Sequence, residues 1–177
     1  MWNYEICSEI YHFHTVDDFI DNPTMEGSNI LSIPEYVVAV HEGSNAEGTT
    51  PVEIVDRIKS LANHALVGTE MIRAGGFRSR EAEYLLTDIE TMSHLGLYYA
   101  HKISAATDLA LFRKTKIESY RQSAVGKLTL ALGEWKIYGA LASGQYTTQR
   151  FARTRNTDWK GIEVEVSRDI EIARESR

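Results

Sequence analysis

A glutamate and two histidines on one predicted helix face are the first candidate for metal chemistry. Glu90 and His94 are four residues apart, and His101 follows one heptad later. Di-iron helical bundles use Glu-x-x-His at spacing three on two helices, with a further glutamate from each of the others. Here the spacing is four and the pattern occurs once. The sequence therefore favours a solvated or groove-facing histidine pair, with a metal site at Glu90, His94 and His101 as the weaker alternative.

Other reactive side chains also lack the sequence context of a metal site or of a catalytic nucleophile. His12 and His14 alternate, which on a strand would direct two imidazoles to one side, but the segment has no strand pattern. Cys7 is the single cysteine, which excludes an internal disulfide and a thiolate zinc cage. No Gly-x-Ser-x-Gly elbow occurs. We therefore expect no cofactor, and no catalytic activity in this chain alone.

A small basic cluster follows the third long predicted helix. Arg150, Arg153 and Arg155 flank Phe151. Arginine forks suit an anionic sugar or a phosphate, so the cluster is a candidate ligand contact. The favoured interpretation is that it pairs with acidic residues elsewhere in the protein.

Aromatic side chains give a second candidate contact. Trp135 and Tyr138, with Tyr146 and Trp159, could stack on sugar rings. Their helical spacing is more typical of a core. We therefore favour a core role for these aromatic residues, and contact with a sugar or with another domain is the weaker prediction.

The charge distribution divides the chain into two parts. Residues 1–56 contain 11 acidic side chains and no lysine or arginine, whereas residues 57–177 contain 14 acidic and 19 basic ones. The obvious partner for the basic cluster is the acidic first part. We predict that deleting residues 1–48 leaves the helices folded and exposes a basic, partly apolar face.

Helix signals dominate after residue 50. All three prolines lie in the first 51 residues, and capping boxes begin at Ser32, Thr50 and Thr115. The strongest apolar stripe repeats at spacings of three and four from Ala82 to Ala110. Gly96 lies in this stripe, where it should permit close approach of a neighbouring helix.

These patterns predict an all-α fold. Residues 1–48 form an acidic, irregular N-terminal arm with one or two short helices, one of them within 2–13 and one at 33–42. Residues 49–177 form an up-down bundle of about four long helices. Their predicted bounds are 51–73, 80–113, 116–143 and 158–174, with a loop over 145–157.

Composition excludes several classes of protein. The formal net charge of −6 argues against general nucleic-acid binding. No apolar run reaches the length of a membrane span, and the first residues have no signal-peptide pattern, although the parent protein could be secreted or periplasmic. The oligomeric state is left open.

Several segments together resemble a known class of protein. They are 48–53, 80–83, 88–89, 98–103, 134–138, 151–154 and 158–159. The chain resembles the C-terminal helical region of large bacterial carbohydrate-active proteins, in which a glycoside-hydrolase-like barrel precedes a helical bundle. The resemblance implies that the catalytic carboxylates lie on the barrel, so none is assigned here.

The resemblance implies a non-catalytic accessory domain of a carbohydrate-processing protein, packed on or beside a glycosidase-like domain. Its partners would be that catalytic domain and possibly a carbohydrate. A stand-alone helical protein-protein interaction module is the alternative. A small metal-dependent helical-bundle enzyme is a third, weaker hypothesis.

Overall fold

The computed structural model describes residues 13–45, 47–76, 79–147, 150–151, 155–156 and 158–177. For 150–151 and 155–156 it describes the backbone alone. This part of the chain is all-α apart from one two-residue strand pair. The helices are α1 (Val16–Asp21), α2 (Ile33–Glu42), α3 (Pro51–Ala74), α4 (Arg80–Thr115), α5 (Glu118–Gln145) and α6 (Glu163–Glu175). None of them is both long and apolar enough to cross a membrane.

The predicted bundle architecture is confirmed. Consecutive long helices are antiparallel, because their contacts run in opposite directions along the chain. Along α4 and α5 these contacts run from Asp88 with Gln145 to Asp108 with Lys127. The contacts of α3 with α4 and of α5 with α6 follow the same rule. Helices α3 to α6 therefore form an up-down bundle, preceded by an arm with two short helices.

Local sequence signals explain most helix ends. Thr50 caps α3 in a reciprocal pair with Glu53, and Ser32 does the same for α2 with Glu35. These hydrogen bonds lower the pKa of both glutamates. Ser79 caps α4 through the backbone N–H of Ala82.

The turn between α4 and α5 corrects one prediction. Thr115 ends α4 instead of capping α5, because its hydroxyl donates to the carbonyl of Leu111, 2.7 Å away. Lys116 takes the left-handed conformation with φ of 60°, and α5 starts without a side-chain cap. The predicted capping box at Thr115 was therefore wrong, although a tight turn lies close to the predicted place.

Two further boundaries differ from the prediction. Residues 158–162 form a turn stabilised by Asp158, which accepts from the Lys160 N–H at 3.1 Å, and α6 starts only at Glu163. Within the predicted loop 145–157, β1 (Arg150–Phe151) pairs antiparallel with β2 (Arg155–Asn156). The helix predicted within 2–13 lies outside the described residues, apart from Phe13, which is not helical.

The arm contributes to the core of the bundle. Val16 and Ile20 of α1, and Ile33 and Val37 of α2, are buried in one cluster with residues of α4, α5 and α6. A second cluster, around Trp135, fills the space between α4, α5 and the start of α6. Helix α4 lies at the centre, contacting α1, α2, α3 and α5.

Candidate interaction surface

The strongest apolar stripe of the sequence is only partly covered. Its second half, from Tyr99 to Ala110, packs against α1 and α2, and Phe19 stacks on Tyr99 with ring centroids 6.1 Å apart. Its first half begins at Ala82 and includes Leu85, which is 61% exposed. Leu86 and Leu95 of α4, which are buried at this level, lie on other sides of the helix. Met92, in the same half, packs against the core cluster around Trp135, so this half is only partly buried.

The open half of the stripe forms one wall of a groove, and α3 forms the other. The groove encloses about 410 Å³ and is almost entirely apolar. We call it the α3–α4 groove. Its lining residues are Ile58, Leu61, Ala62, Ala65, Asp88, Ile89, Met92, Ser93 and Gly96.

The outer edge of α3 extends this apolar surface. Leu61 is 65% exposed, and Ile72, three turns further along α3, is 45% exposed. Of the long helices in the described part of the chain, α3 packs mainly on α4, so this edge has no cover. Contiguous exposed apolar surface of this kind marks interaction sites in soluble proteins.

Gly96 lies where α3 and α4 approach each other, as predicted. A Cβ atom at Gly96 would lie 3.6 Å from Ile58 Cγ2 and 3.8 Å from Ala62 Cβ. These are ordinary van der Waals distances. The close approach therefore does not require a glycine, although a side chain larger than alanine would fill the groove.

The candidate metal ligands are not brought together. Glu90 binds the guanidinium of Arg73 on α3 with both carboxylate oxygens, and Thr69 Oγ1 lies 3.4 Å from Glu90 Oε1. His94 lies further along α4, where its Nδ1 is 2.7 Å from Glu134 Oε2 on α5. Among the described residues, no group of three or more His, Cys, Asp or Glu side chains could hold a metal ion.

His101 lies beyond His94 on the same side of α4. Its Nδ1 atom is buried and has no hydrogen-bond partner among the described residues. Burial lowers the pKa of the imidazole, and the charges of Lys59 and Lys127 lower it further, while Glu134 opposes them. The ring is therefore held in its neutral form more strongly than a free histidine.

Trp135 and Tyr138 lie in the core of the bundle. Trp135 is fully buried, its ring packs edge-on against Tyr98 at 5.0 Å, and its Nε1 donates to the carbonyl of Trp159. Trp159 Nε1 donates in turn to the hydroxyl of Tyr138, at 3.2 Å. Trp135 and Tyr138 are therefore core residues, and contact of either one with a ligand stays a prediction.

The basic cluster is described only in part. Arg150 and Arg155 lie on β1 and β2, one register position apart across the pair, since Arg150 faces Asn156 and Phe151 faces Arg155. Arg153 lies outside the described residues. The contact of this cluster with the acidic arm therefore stays a prediction. Asp17 of the arm pairs instead with Arg113 on α4, at 2.7 Å.

Sequence reasoning missed a fully buried ion pair between α4 and α6. Lys102 and Asp169 have side-chain exposures of 0% and 1%, and Lys102 Nζ lies 3.0 Å from Asp169 Oδ2. The signal was present: Asp169 lies between Val166 and Ala173 at the spacing of a buried helix face. Similarly, Lys102 lies four residues after Tyr98 and four before Ala106, both fully buried.

The described fold is thus an up-down helical bundle with an arm over one half of α4 and an open apolar groove beside the other half. It is similar to part of a solved structure described as a GH138 enzyme targeting pectin rhamnogalacturonan II. The TM-score is 0.71 at 16% sequence identity, and the match covers 82% of this chain and 23% of that chain. At this identity the similarity shows the fold alone, and this chain spans less than a quarter of that enzyme. No family model and no curated protein matches the chain.

Proposed function

We propose that this chain is a non-catalytic helical accessory domain of a carbohydrate-processing protein, and that the α3–α4 groove packs on a glycosidase-like domain. One observation carries the proposal: an apolar stripe on α4 is covered by the arm over its second half, whereas its first half lines the α3–α4 groove and is exposed at Leu85. Leu85 at the open end is 61% exposed, whereas Ala106 in the covered half is fully buried. Because the stripe continues beyond the arm, it favours a second element that covers its first half.

The chemistry of the groove favours a protein surface as its occupant. Ser93 donates its hydroxyl to the Ile89 carbonyl 2.7 Å away, so this polar lining residue is satisfied within α4. Asp88 lies at the rim and accepts from Gln145. The rest of the groove lining is apolar. It suits the apolar side chains of a partner, because burying apolar surface away from water is favourable.

The similarity to a GH138 enzyme supports the choice of partner. The matching fold makes up 23% of that chain, which is described as targeting a pectin. We infer that the present bundle likewise works next to a glycosidase-like domain, and that the whole assembly acts on a plant cell-wall polysaccharide. The catalytic carboxylates would then belong to the partner domain.

A stand-alone interaction module is the second candidate function. The same groove supports this function. The identity of the bound partner distinguishes the stand-alone module from the accessory domain. The metal-dependent enzyme has less support, because Arg73 occupies the carboxylate of Glu90 and Glu134 pairs with His94.

Substitutions in the groove test the proposal. Leu61→Asp with Leu85→Asp would place two charges on the apolar walls. In cells of the source organism, the tagged wild-type protein should carry a glycosidase-like domain, in its own polypeptide or as a copurifying chain. The double variant should weaken that association, measured as copurification or as dissociation after proteolysis of the connecting segment.

Leu130→Asp is the matched control, because Leu130 is 56% exposed on α5 and does not line the groove. It should leave the association unchanged. A partner without a glycosidase-like domain would favour the stand-alone module, and an association unaffected by the double variant would contradict the groove as the docking surface.

A further inference from the structure

Two exposed tyrosines lie together at the end of the bundle where α4 begins and α5 ends. Tyr84 of α4 is 48% exposed and Tyr146, just after α5, is 39% exposed. Gln145 connects them, since its Nε2 lies 3.1 Å from the carbonyl oxygen of Tyr84 and 3.3 Å from the hydroxyl of Tyr146. We call these residues, with Arg80 and Asp88, the tyrosine cluster.

Hydrogen bonds hold the cluster in place. Arg80 donates from Nε and Nη2 to the Tyr84 hydroxyl at 3.1 and 3.0 Å, and its guanidinium lies 5.5 Å from the centre of the Tyr84 ring. Asp88 Oδ1 accepts from Gln145 at 2.6 Å and from the hydroxyl of Tyr146. The bond to Asp88 raises the pKa of Tyr146, so its hydroxyl keeps its proton. The two rings are thus oriented before any ligand arrives.

The charge of Arg80 is the feature that points to a ligand. Within the part of the chain that the structure describes, Arg80 makes no ion pair with a carboxylate, and its side-chain hydrogen bonds go to the Tyr84 hydroxyl. Its neighbour Arg73, in contrast, is paired with Glu83 and Glu90. Arg80 and Arg73 line an open pocket of about 440 Å³ with Ser79 and Glu83.

We propose that the tyrosine cluster binds an acidic oligosaccharide, with a uronate-type carboxylate on Arg80 and a pyranose ring on Tyr84. An exposed phenol ring offers a flat apolar face to the C–H groups of a sugar, and its hydroxyl a polar edge. A guanidinium recognises a carboxylate by paired hydrogen bonds. Asp88 supplies a carboxylate acceptor for ring hydroxyls.

This inference rests on the proposed function, and it names the substrate class. Asp88 belongs both to the tyrosine cluster and to the rim of the α3–α4 groove. A domain docked in the groove would therefore have its edge beside Tyr84 and Tyr146. The cluster would then form one wall of a cleft between the two domains.

Titration of the full chain with two defined probes tests the inference without the partner domain. Hexagalacturonate carries one carboxylate per ring, whereas cellohexaose is neutral. We expect hexagalacturonate to shift amide resonances of residues 80–88 and 145–146 in NMR spectra, at millimolar concentrations. Arg80→Ala and Tyr84→Ala should each weaken that binding by about tenfold or more, and added salt should weaken it for the wild type.

Tyr36→Ala is the control, since Tyr36 is partly exposed on α2, away from the cluster. It should bind like the wild type. No shift up to 20 mM probe (about the limit at which such binding is useful), shifts at other residues, or binding unaffected by Arg80→Ala would each overturn the inference. Equal binding of cellohexaose would overturn the acidic class. Because no partner takes part, failure here leaves the groove proposal standing, and loss of groove docking leaves this result intact.

Discussion

Lys102 and Asp169 form an ion pair at the centre of the protein, and it fixes the arm to the bundle. Lys102 Nζ donates to the carbonyl of His14, and Asp169 Oδ1 accepts from the N–H of Val16 at 2.7 Å. The rings of Phe13 and Phe19 lie 4.1 and 4.7 Å from the ammonium. Burial raises the pKa of Asp169, and Lys102 and the Val16 N–H oppose that rise. Two helices and the arm therefore meet at one buried pair of charges.

Removing one partner of this pair should be costly. Lys102→Met leaves the carboxylate of Asp169 buried without its cation, and breaking such a pair costs roughly 3–5 kcal/mol. Urea unfolding should show a loss of this size in the free energy of unfolding. The double variant Lys102→Met with Asp169→Asn should recover most of it, because asparagine is neutral and still accepts from Val16. A loss below about 1 kcal/mol in the single variant, in a pair this deeply buried, would contradict this account.

The arm should contribute directly to stability. Ile20 of α1 is 7% exposed and lies in the main core cluster, whereas Met25 is 80% exposed. Ile20→Ala should reduce the free energy of unfolding by roughly 2–5 kcal/mol, and Met25→Ala should change it by less than about 0.5 kcal/mol.

The sequence predicted that the helices stay folded without residues 1–48. The buried contacts of α1 and α2 now lead us to expect loss of cooperative unfolding on that deletion, by thermal denaturation. A cooperative, wild-type-like transition would restore the original prediction.

His101 should make the fold less stable in mild acid. Its pKa is lowered in the folded protein, so below about pH 6.5 the unfolded chain takes up a proton that the folded chain resists. The stability from the neutral ring is present above that pH and is lost as the pH falls through the folded value. His101→Asn should remove part of the decline in melting temperature between pH 8 and pH 5. His41→Asn, at an exposed position on α2, should not. Identical pH profiles of wild type and His101→Asn would count against the buried imidazole.

Gly96→Ala should be tolerated. The added methyl group meets Ile58 and Ala62 at ordinary contact distances, and alanine is favoured over glycine within a helix by about 1 kcal/mol. Gly126→Ala on α5 has no neighbour within 4 Å and reports the helix-propensity gain alone. The two variants should therefore stabilise the protein by similar amounts in urea unfolding. A clear loss for Gly96→Ala would mean that α3 and α4 lie closer than described.

Local signals predicted the helices well, because caps and apolar spacing act over a few residues. Ser32 and Thr50 cap as predicted, and α3 ends at Ala74, one residue beyond the predicted end. Thr115 failed because its hydroxyl had a competing acceptor in the preceding turn. Helix α1 was missed although Thr15 and Asp18 form a capping box there.

The candidate surface could not be read from spacing alone. The stripe from Ala82 to Ala110 suggests one buried face, but a central helix has neighbours on several sides. Only the tertiary arrangement shows that the arm covers one half of that face. For the same reason, Glu90 and His94 share a predicted face yet bind partners on different helices. The buried pair of Lys102 and Asp169 depends on contact between segments 67 residues apart.

The central claim is that the α3–α4 groove docks a glycosidase-like domain, and crosslinking from inside the groove tests it most directly. A photoreactive phenylalanine analogue at position 61, in place of Leu61, would be introduced into the protein in its source cells. The crosslinked peptides would be identified by mass spectrometry, with the same analogue at position 130 as the control. The account predicts peptides from a glycosidase-like domain at position 61 and not at position 130. Peptides from residues 1–12 of this chain, from a second copy of it, or from a protein of another class would contradict it.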